Sequence, residues 1–238
     1  RVWQEIEQAM GGPAPDVFIR VLRNCGALKL ILPEVDRLFG VPQPVKYHPE
    51  VDTGLHILLC LQQAAKLTDD PVVRYAALVH DVGKGVTDKA KWPSHYAHET
   101  LGLPLQADIS KRLHVPNEFS KLAALVCEHH TKLHRIKELH PATLLKLIEA
   151  LDGFRRPERV QKFLIACEAD AKGRTGLEER DYPQNTYLTT ILNELSQLDL
   201  GALLKQAKPK NTQEFVQQSR LNLLSDILTR LKISEAAN

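Results

Sequence analysis

"YAALVHDVGKG", residues 75–85, runs from an apolar stretch directly into a histidine and an aspartate and then into Gly, Lys and Gly. Just upstream, Asp70 and Pro71 supply an N-cap and a proline for the first helical position. Val72, Ala76, Val79 and His80 then share one face of a helix, so His80 points where the core residues point. Asp81 follows at the helix end, and Gly83 is expected to stop the helix. The pattern recurs outward from this stretch. Along "NEFSKLAALVCEHH", opening at Asn117, the face Phe119, Leu122, Val126 carries on to His129 and His130. Along "PERVQKFLIACEADAKG", opening at Pro157, the face Val160, Phe163, Leu164, Cys167 runs into Asp170, with Gly173 as the stop. His56 leads "LHILLCLQQAAKL", which is almost wholly apolar for its first turns. No stretch shows the sustained alternation of a half-buried strand, so the predicted fold class is all-α.

The 238 residues, 43% hydrophobic, are enough for one large core or two modest ones. No segment approaches the roughly 20 uninterrupted apolar residues that a membrane span needs, so no membrane partner is expected. Residue 1 is Arg, and "RVWQEIEQAMGGP" has neither the layout nor the cleavage site of a signal peptide, which suggests a portion of a longer chain. Cys25, Cys60, Cys127 and Cys167 are widely spaced, three of them in apolar helical patterns. They read as reduced thiols rather than disulfides or a zinc ribbon, and a cytoplasmic location follows. A net charge of +2 demands no polyanionic partner. Local groups such as Lys132, Arg135 and Lys137, or Arg155, Arg156 and Arg159, have the charge to touch phosphates, although a solvated helix face is the commoner use of such clusters.

Two Pro-bearing stretches divide the chain, "GVPQPVKYHPE" (40–50) and "RDYPQNT" (180–186). Three parts are expected: residues 1–45, 46–180 and 181–238. The last contains "TQEFVQQSRLNLLSDILTRLK", whose apolar face of Phe215, Leu221, Leu224, Ile227, Leu228 and Leu231 is expected to pack on its own protein.

Most of the ten histidines fall between residues 48 and 134. A lone histidine on an apolar face is more often a hydrogen-bonded core residue than a ligand. A carboxylate in that position is harder to explain, because burying an ionised Asp without a partner costs several kcal/mol or forces its pKa up. Helices that converge with such groups have one economical solution, a shared divalent cation. Imidazole nitrogen mixed with carboxylate oxygen suits Mn, Fe, Co, Ni or Zn, and Mg less well.

The order His56, then His80 and Asp81, then the distant Asp170, with "HDVGKG", resembles the HD-domain metal-dependent phosphohydrolases. The resemblance implies an all-α helical bundle with His56, His80, Asp81 and Asp170 as metal ligands. It offers His98, in "HYAHETLG", with His129 and His130 as extra ligands of two-metal members. With one metal these three would contact phosphate or act as general acid, and His95 is an alternative to His98. Lys84 stands where the "HDxGK" form carries a lysine suited to a substrate phosphate; the plainer reading is a cation at a helix C-terminus. Asp81 would orient or deprotonate the attacking water.

The flanks "RVWQEIEQAM", "VLRNCGALKLILPEV" and "GVPQPVKYHPEVDTGLH" resemble the neck and adjoining HD region of bacterial CCA-adding enzymes, the tRNA nucleotidyltransferases that carry a C-terminal HD domain. Residues 1–45 would then be neck, 46–180 the HD domain and 181–238 a helical tail. No paired-carboxylate strand or Gly-Ser phosphate loop of a nucleotidyltransferase head is recognisable, so CCA addition by this portion alone is not expected. The implied activity is metal-dependent, with Ni²⁺, Mn²⁺, Co²⁺ or Mg²⁺: 2′,3′-cyclic phosphodiesterase, 2′-nucleotidase and phosphatase, on nucleotides or the tRNA 3′ end. Two other readings stay open. One is an HD hydrolase of alarmones, dNTPs or cyclic dinucleotides. The other is a non-catalytic module that grips tRNA or forms a homodimer.

Overall fold

The computed structural model describes residues 1–236, with side chains described through residue 233. Its α-helices are α1 (Val2–Gly11), α2 (Pro15–Asn24), α3 (Leu28–Ile31), α4 (Pro33–Asp36), α5 (Thr53–Leu67), α6 (Pro71–Val79), α7 (His98–Leu113), α8 (Asn117–His134), α9 (Pro141–Ala150), α10 (Pro157–Lys172), α11 (Gln184–Ser196), α12 (Leu200–Ala207) and α13 (Thr212–Ala236). Among the described residues no strand forms, and a lone antiparallel bridge joins Pro42 to Asp52. The fold is all-α, as the periodicity predicts. No helix among the described residues is long and apolar enough to cross a membrane.

The chain clusters into two compact units. One holds Arg1–His134 with Gln161–Tyr182, and the other holds Arg135–Val160 with the chain from Pro183 onward. In the second unit the face Leu224, Ile227 and Leu228 of α13 is buried, and α13 packs on α9 and α11.

The first unit is organised around α6. Its start is fixed as the sequence predicts: the Asp70 carboxylate accepts from the Val72 amide at 2.8 Å, with Pro71 at the first helical position. Every residue from Val72 to Val79 is buried, and α1, α5 and α8 pack around the helix. Trp3, Tyr75 and Phe119 meet edge-on, with ring centroids 4.9–6.0 Å apart. Arg74 is buried because its guanidinium donates to four carbonyls: Met10 (2.9 Å), Gly12 (2.6 Å), Thr68 (2.8 Å) and Ala65 (3.2 Å). It thereby ties the ends of α1 and α5 to α6. Where α5, α6 and α10 approach one another, the contact is made by Ala64, Ala77 and Ala169, all fully buried. Small side chains at this crossing let the three backbones come close; α5 carries His56, α10 carries Asp170, and His80 and Asp81 directly follow α6.

One expectation is corrected. Gly83 does not stop α6, which ends at Val79; His80 keeps helical angles, Asp81 leaves the helix at φ −103° and ψ 10°, and Val82–Val86 form a 3₁₀ turn. Glycine is required at position 83 by packing. A Cβ there would collide with the carbonyl oxygen of His98 and stand 2.7 Å from the amide nitrogen of Gly102, both in α7. Gly173 does follow the end of α10, and it too permits a close approach, since a Cβ would lie 2.7 Å from the backbone of Cys60 in α5.

Candidate metal centre

Three helices and the turn after one of them deliver the predicted quartet to a single point. Asp52 caps α5 by accepting from the Leu55 amide at 2.9 Å, which sets His56 in the first turn, fully buried. Its Nε2 lies 3.0 Å from Asp170 Oδ1 and 3.9 Å from Asp81 Oδ2. His80 Nε2 lies 3.3 Å from Asp81 Oδ2 and 3.8 Å from Asp170 Oδ2. His98 and His130 join from α7 and α8: their Nε2 atoms are 3.4 Å apart and lie 3.3 and 3.6 Å from Asp81 Oδ1.

The tautomers follow from what stands behind each ring. A backbone carbonyl can only accept, so the ring nitrogen facing it carries the hydrogen. Nδ1 of His56 donates to Gly173 O at 2.9 Å, that of His80 to Ala77 O at 2.8 Å, that of His98 to His95 O at 2.8 Å and that of His130 to Val126 O at 2.9 Å. In the neutral rings all four inward Nε2 atoms are therefore lone pairs, and they converge on two carboxylates that also offer only lone pairs. His80 Nε2 and Asp81 Oδ1 are buried with no hydrogen-bond partner. An electron-rich cluster out of water needs positive charge at its centre, and the mixed nitrogen and oxygen donors fit a divalent transition metal. Among the described residues, three donor groups have atoms that all lie within 4.8 Å of one another, His80–Asp81–His130, His56–Cys60–His80–Asp170 and His48–Glu50–His56; His98 belongs to none of them.

In the protein without metal, protons and fixed cations respond to the same field. Burial opposes ionisation of Asp81, but the Lys84 ammonium, His80 and His98 outweigh it and hold the carboxyl well below its ordinary range. Asp170 is likewise held well below by His134, His80 and His56 against the cost of burial. Burial disfavours charge on His56, yet the carboxylates of Asp170 and Glu50 hold it well above 6.5, and Asp81 raises His98 in the same way. His130 moves oppositely, because burial and the neighbouring His80 push it well below 6.5. Burial raises the Cys60 thiol, so its Sγ, 3.4 Å from His56 Nε2, is a neutral wall of the site.

Lys84 is also brought in, buried, with Nζ 2.6 Å from Asp81 Oδ2 and 2.6 Å from Gln43 Oε1. His129 is not brought to the centre: its Nδ1 meets Lys132 Nζ at 3.0 Å and its Nε2 faces Glu128 at 3.8 Å. On a helix, consecutive side chains diverge by about 100°, so only one of His129 and His130 can face inward. His95 does not stand in for His98, since its Nδ1 contacts Thr87 Oγ1 at 2.7 Å and its Nε2 the Pro42 carbonyl at 2.8 Å. The sequence reading passed over His134, whose Nε2 lies 2.6 Å from Asp170 Oδ2 and whose Nδ1 lies 2.8 Å from Tyr182 Oη. Its position four residues after His130 on α8 was the available signal. It also passed over Glu50 and His48, which precede α5 and carry no helical periodicity.

Residues 53–163 match the family model of the HD domain. Among curated proteins, the chain is 51% identical over 208 residues to the Multifunctional CCA protein of Teredinibacter turnerae, a match covering 87% of this chain and 51% of that one. It is 50% identical over 205 residues to that of Vibrio campbellii (86% and 50%), and 50% identical over 225 residues to that of Ectopseudomonas mendocina (94% and 55%). The chain thus spans about half the length of the curated relatives it matches.

Proposed function

We propose that this chain, whose residues 53–163 match the HD-domain family, is a metal-dependent hydrolase of 2′,3′-cyclic phosphodiesters and 2′-phosphomonoesters of ribonucleotides, free or at the 3′ end of tRNA. One observation carries the reading: the lone pairs of His56, His80, Asp81 and Asp170 converge in a buried space where His80 Nε2 and Asp81 Oδ1 have no partner. The tRNA part of the proposal rests on the relatives' name and on their identity across most of this chain. Buried, unpaired thiols at Cys60, Cys127 and Cys167 accord with a reducing, cytoplasmic setting.

His56, His80, Asp81 and Asp170 would hold the divalent cation, Ni²⁺, Mn²⁺, Co²⁺ or Mg²⁺, with His98 and His130 beside it. When bound, such a cation supplies Lewis acidity, making nearby water easier to deprotonate and offsetting charge on the phosphoryl group. Asp81 is the residue to orient the attacking water, since its Oδ1 is buried and faces His98 and His130 while its Oδ2 is fixed by Lys84. Lys84 has a three-donor ammonium already at the site and needs only to exchange a carboxylate for a phosphate oxygen. His98, whose Nε2 lies 3.3 Å from Asp81 Oδ1, is placed to take the proton released by the attacking water and return it to the 2′ or 3′ oxygen as the P–O bond breaks.

The test is turnover of 2′,3′-cyclic AMP with EDTA and with each added metal, for wild type and Asp81→Ala. Metal-dependent hydrolysis that Asp81→Ala abolishes is expected. No turnover with any metal, or turnover the substitution leaves intact, overturns the reading. Faster turnover of an alarmone, dNTP or cyclic dinucleotide reassigns the substrate.

A further inference from the structure

We infer that Glu50, outside the quartet proposed to hold the cation, is a positioning residue that orients and polarises His56 as a metal ligand. The inference rests on the reading of the centre given above. Glu50 Oε1 lies 3.0 Å from Nδ1 of His56 and 3.0 Å from Nδ1 of His48, directly behind the ring whose Nε2 faces Asp170. A carboxylate behind a ligating imidazole fixes the Nδ1–H tautomer and makes the opposite nitrogen a stronger donor. The Gly173 carbonyl, 2.9 Å from the same Nδ1, fixes the tautomer without carrying charge. Glu50 is the group that adds the charge.

The surroundings hold Glu50 in this place. Its Oε2 accepts from the Thr175 amide at 3.3 Å, and Arg174 reaches both Asp170 Oδ1 at 3.5 Å and the Tyr47 carbonyl at 3.4 Å. Residues 47–50 and 173–175 are thus fastened to each other around His56. Val51, a β-branched residue, sits at φ +61°, a conformation such side chains avoid. That turn is held by the Gln43 amide donating to Val51 O at 2.6 Å and the Val51 amide donating to His48 O at 2.9 Å. His48 meets the His56 ring edge-on at 4.6 Å, and its Nδ1, 3.0 Å from the same Glu50 Oε1, helps to fix that carboxylate in place.

Two substitutions separate charge from shape. Glu50→Ala removes both, while Glu50→Gln keeps an amide oxygen beside Nδ1 and loses the charge. Titration calorimetry of the whole chain with Ni²⁺ or Co²⁺, with helical content monitored by circular dichroism, is expected to show Kd rising by up to about 100-fold for Glu50→Ala and about tenfold for Glu50→Gln. A folded Glu50→Ala with the wild-type Kd overturns the inference; should that variant not fold, Glu50→Gln with the wild-type Kd does so. Wild type that binds metal yet hydrolyses no phosphoester removes the proposed function and leaves this inference standing. Wild type that binds no metal removes both.

Discussion

Replacing Gly83 with alanine tests whether the turn after α6 is seated on α7 by contact between backbones. The added methyl would meet the His98 carbonyl oxygen and, at 2.7 Å, the Gly102 amide nitrogen. Both belong to the chain of a 16-residue helix, so no rotamer change relieves the clash and the turn and α7 must separate by about 1 Å to restore ordinary contact. Overpacking of this kind costs about 2 kcal/mol, which for a chain of this size lowers Tm by about 4–8 °C. The displacement falls between Asp81 and His98, now 3.3 Å apart, so metal-dependent hydrolysis should drop on the order of 100-fold. The internal control is Gly85→Ala in the same turn. Its methyl would meet Cγ and Cδ of Arg37 at 3.2 Å, the stem of an exposed, flexible side chain that can step aside. Its effect should stay within about 0.5 kcal/mol. Thermal unfolding and hydrolysis of 2′,3′-cyclic AMP measure both variants. A Gly83→Ala protein with wild-type Tm and rate, or a Gly85→Ala protein equally damaged, would refute the reasoning.

Arg74→Met leaves the carbonyls of Met10, Gly12, Thr68 and Ala65 without their donor; urea unfolding should show a loss on the order of 3 kcal/mol at unchanged m-value. His48 is depressed to about 4 by burial, so between pH 6.5 and 4 the unfolded chain binds the extra proton and stability falls with pH. For the metal-free protein this group removes about 2 kcal/mol between pH 7 and pH 5, and His48→Gln should flatten the stability profile by that amount; a profile unchanged by the substitution contradicts it. Of the four thiols, Cys25 alone is exposed, so one equivalent per chain should react promptly with a thiol reagent and the other three only on unfolding.

Much of the centre was legible because burial and helix geometry are written in the same periodicity. His80 and Asp170 each extend an apolar face, and a polar group on such a face announces either a partner or an ion. What periodicity cannot register is the half of the site built from loops and from contacts across long separations. Glu50 lies in an irregular turn, and Gly173 acts on His56 through a carbonyl that every residue possesses. His129 and His130 show the limit of resolution, since a pattern with three- and four-residue spacing tolerates either neighbour and only packing chooses. Gly83 shows a different limit. Glycine reads in sequence as a helix stop, whereas here the missing side chain makes room for another helix.

The chain order of the first unit has a consequence for biosynthesis. His56, His80 and Asp81 are in hand early, but Asp170 arrives only after the segment Arg135–Val160, which belongs to the other unit, has been made. At translation rates of about 5–20 residues per second, the roughly ninety residues between Asp81 and Asp170 leave a nascent chain for about 4–18 s with three of the four converging side chains and no means of closing the set. Throughout that interval the imidazoles and Asp81 are open to any passing cation. The pocket is therefore completed at a late, identifiable moment, when α10 folds back and Gly173 and Asp170 meet His56.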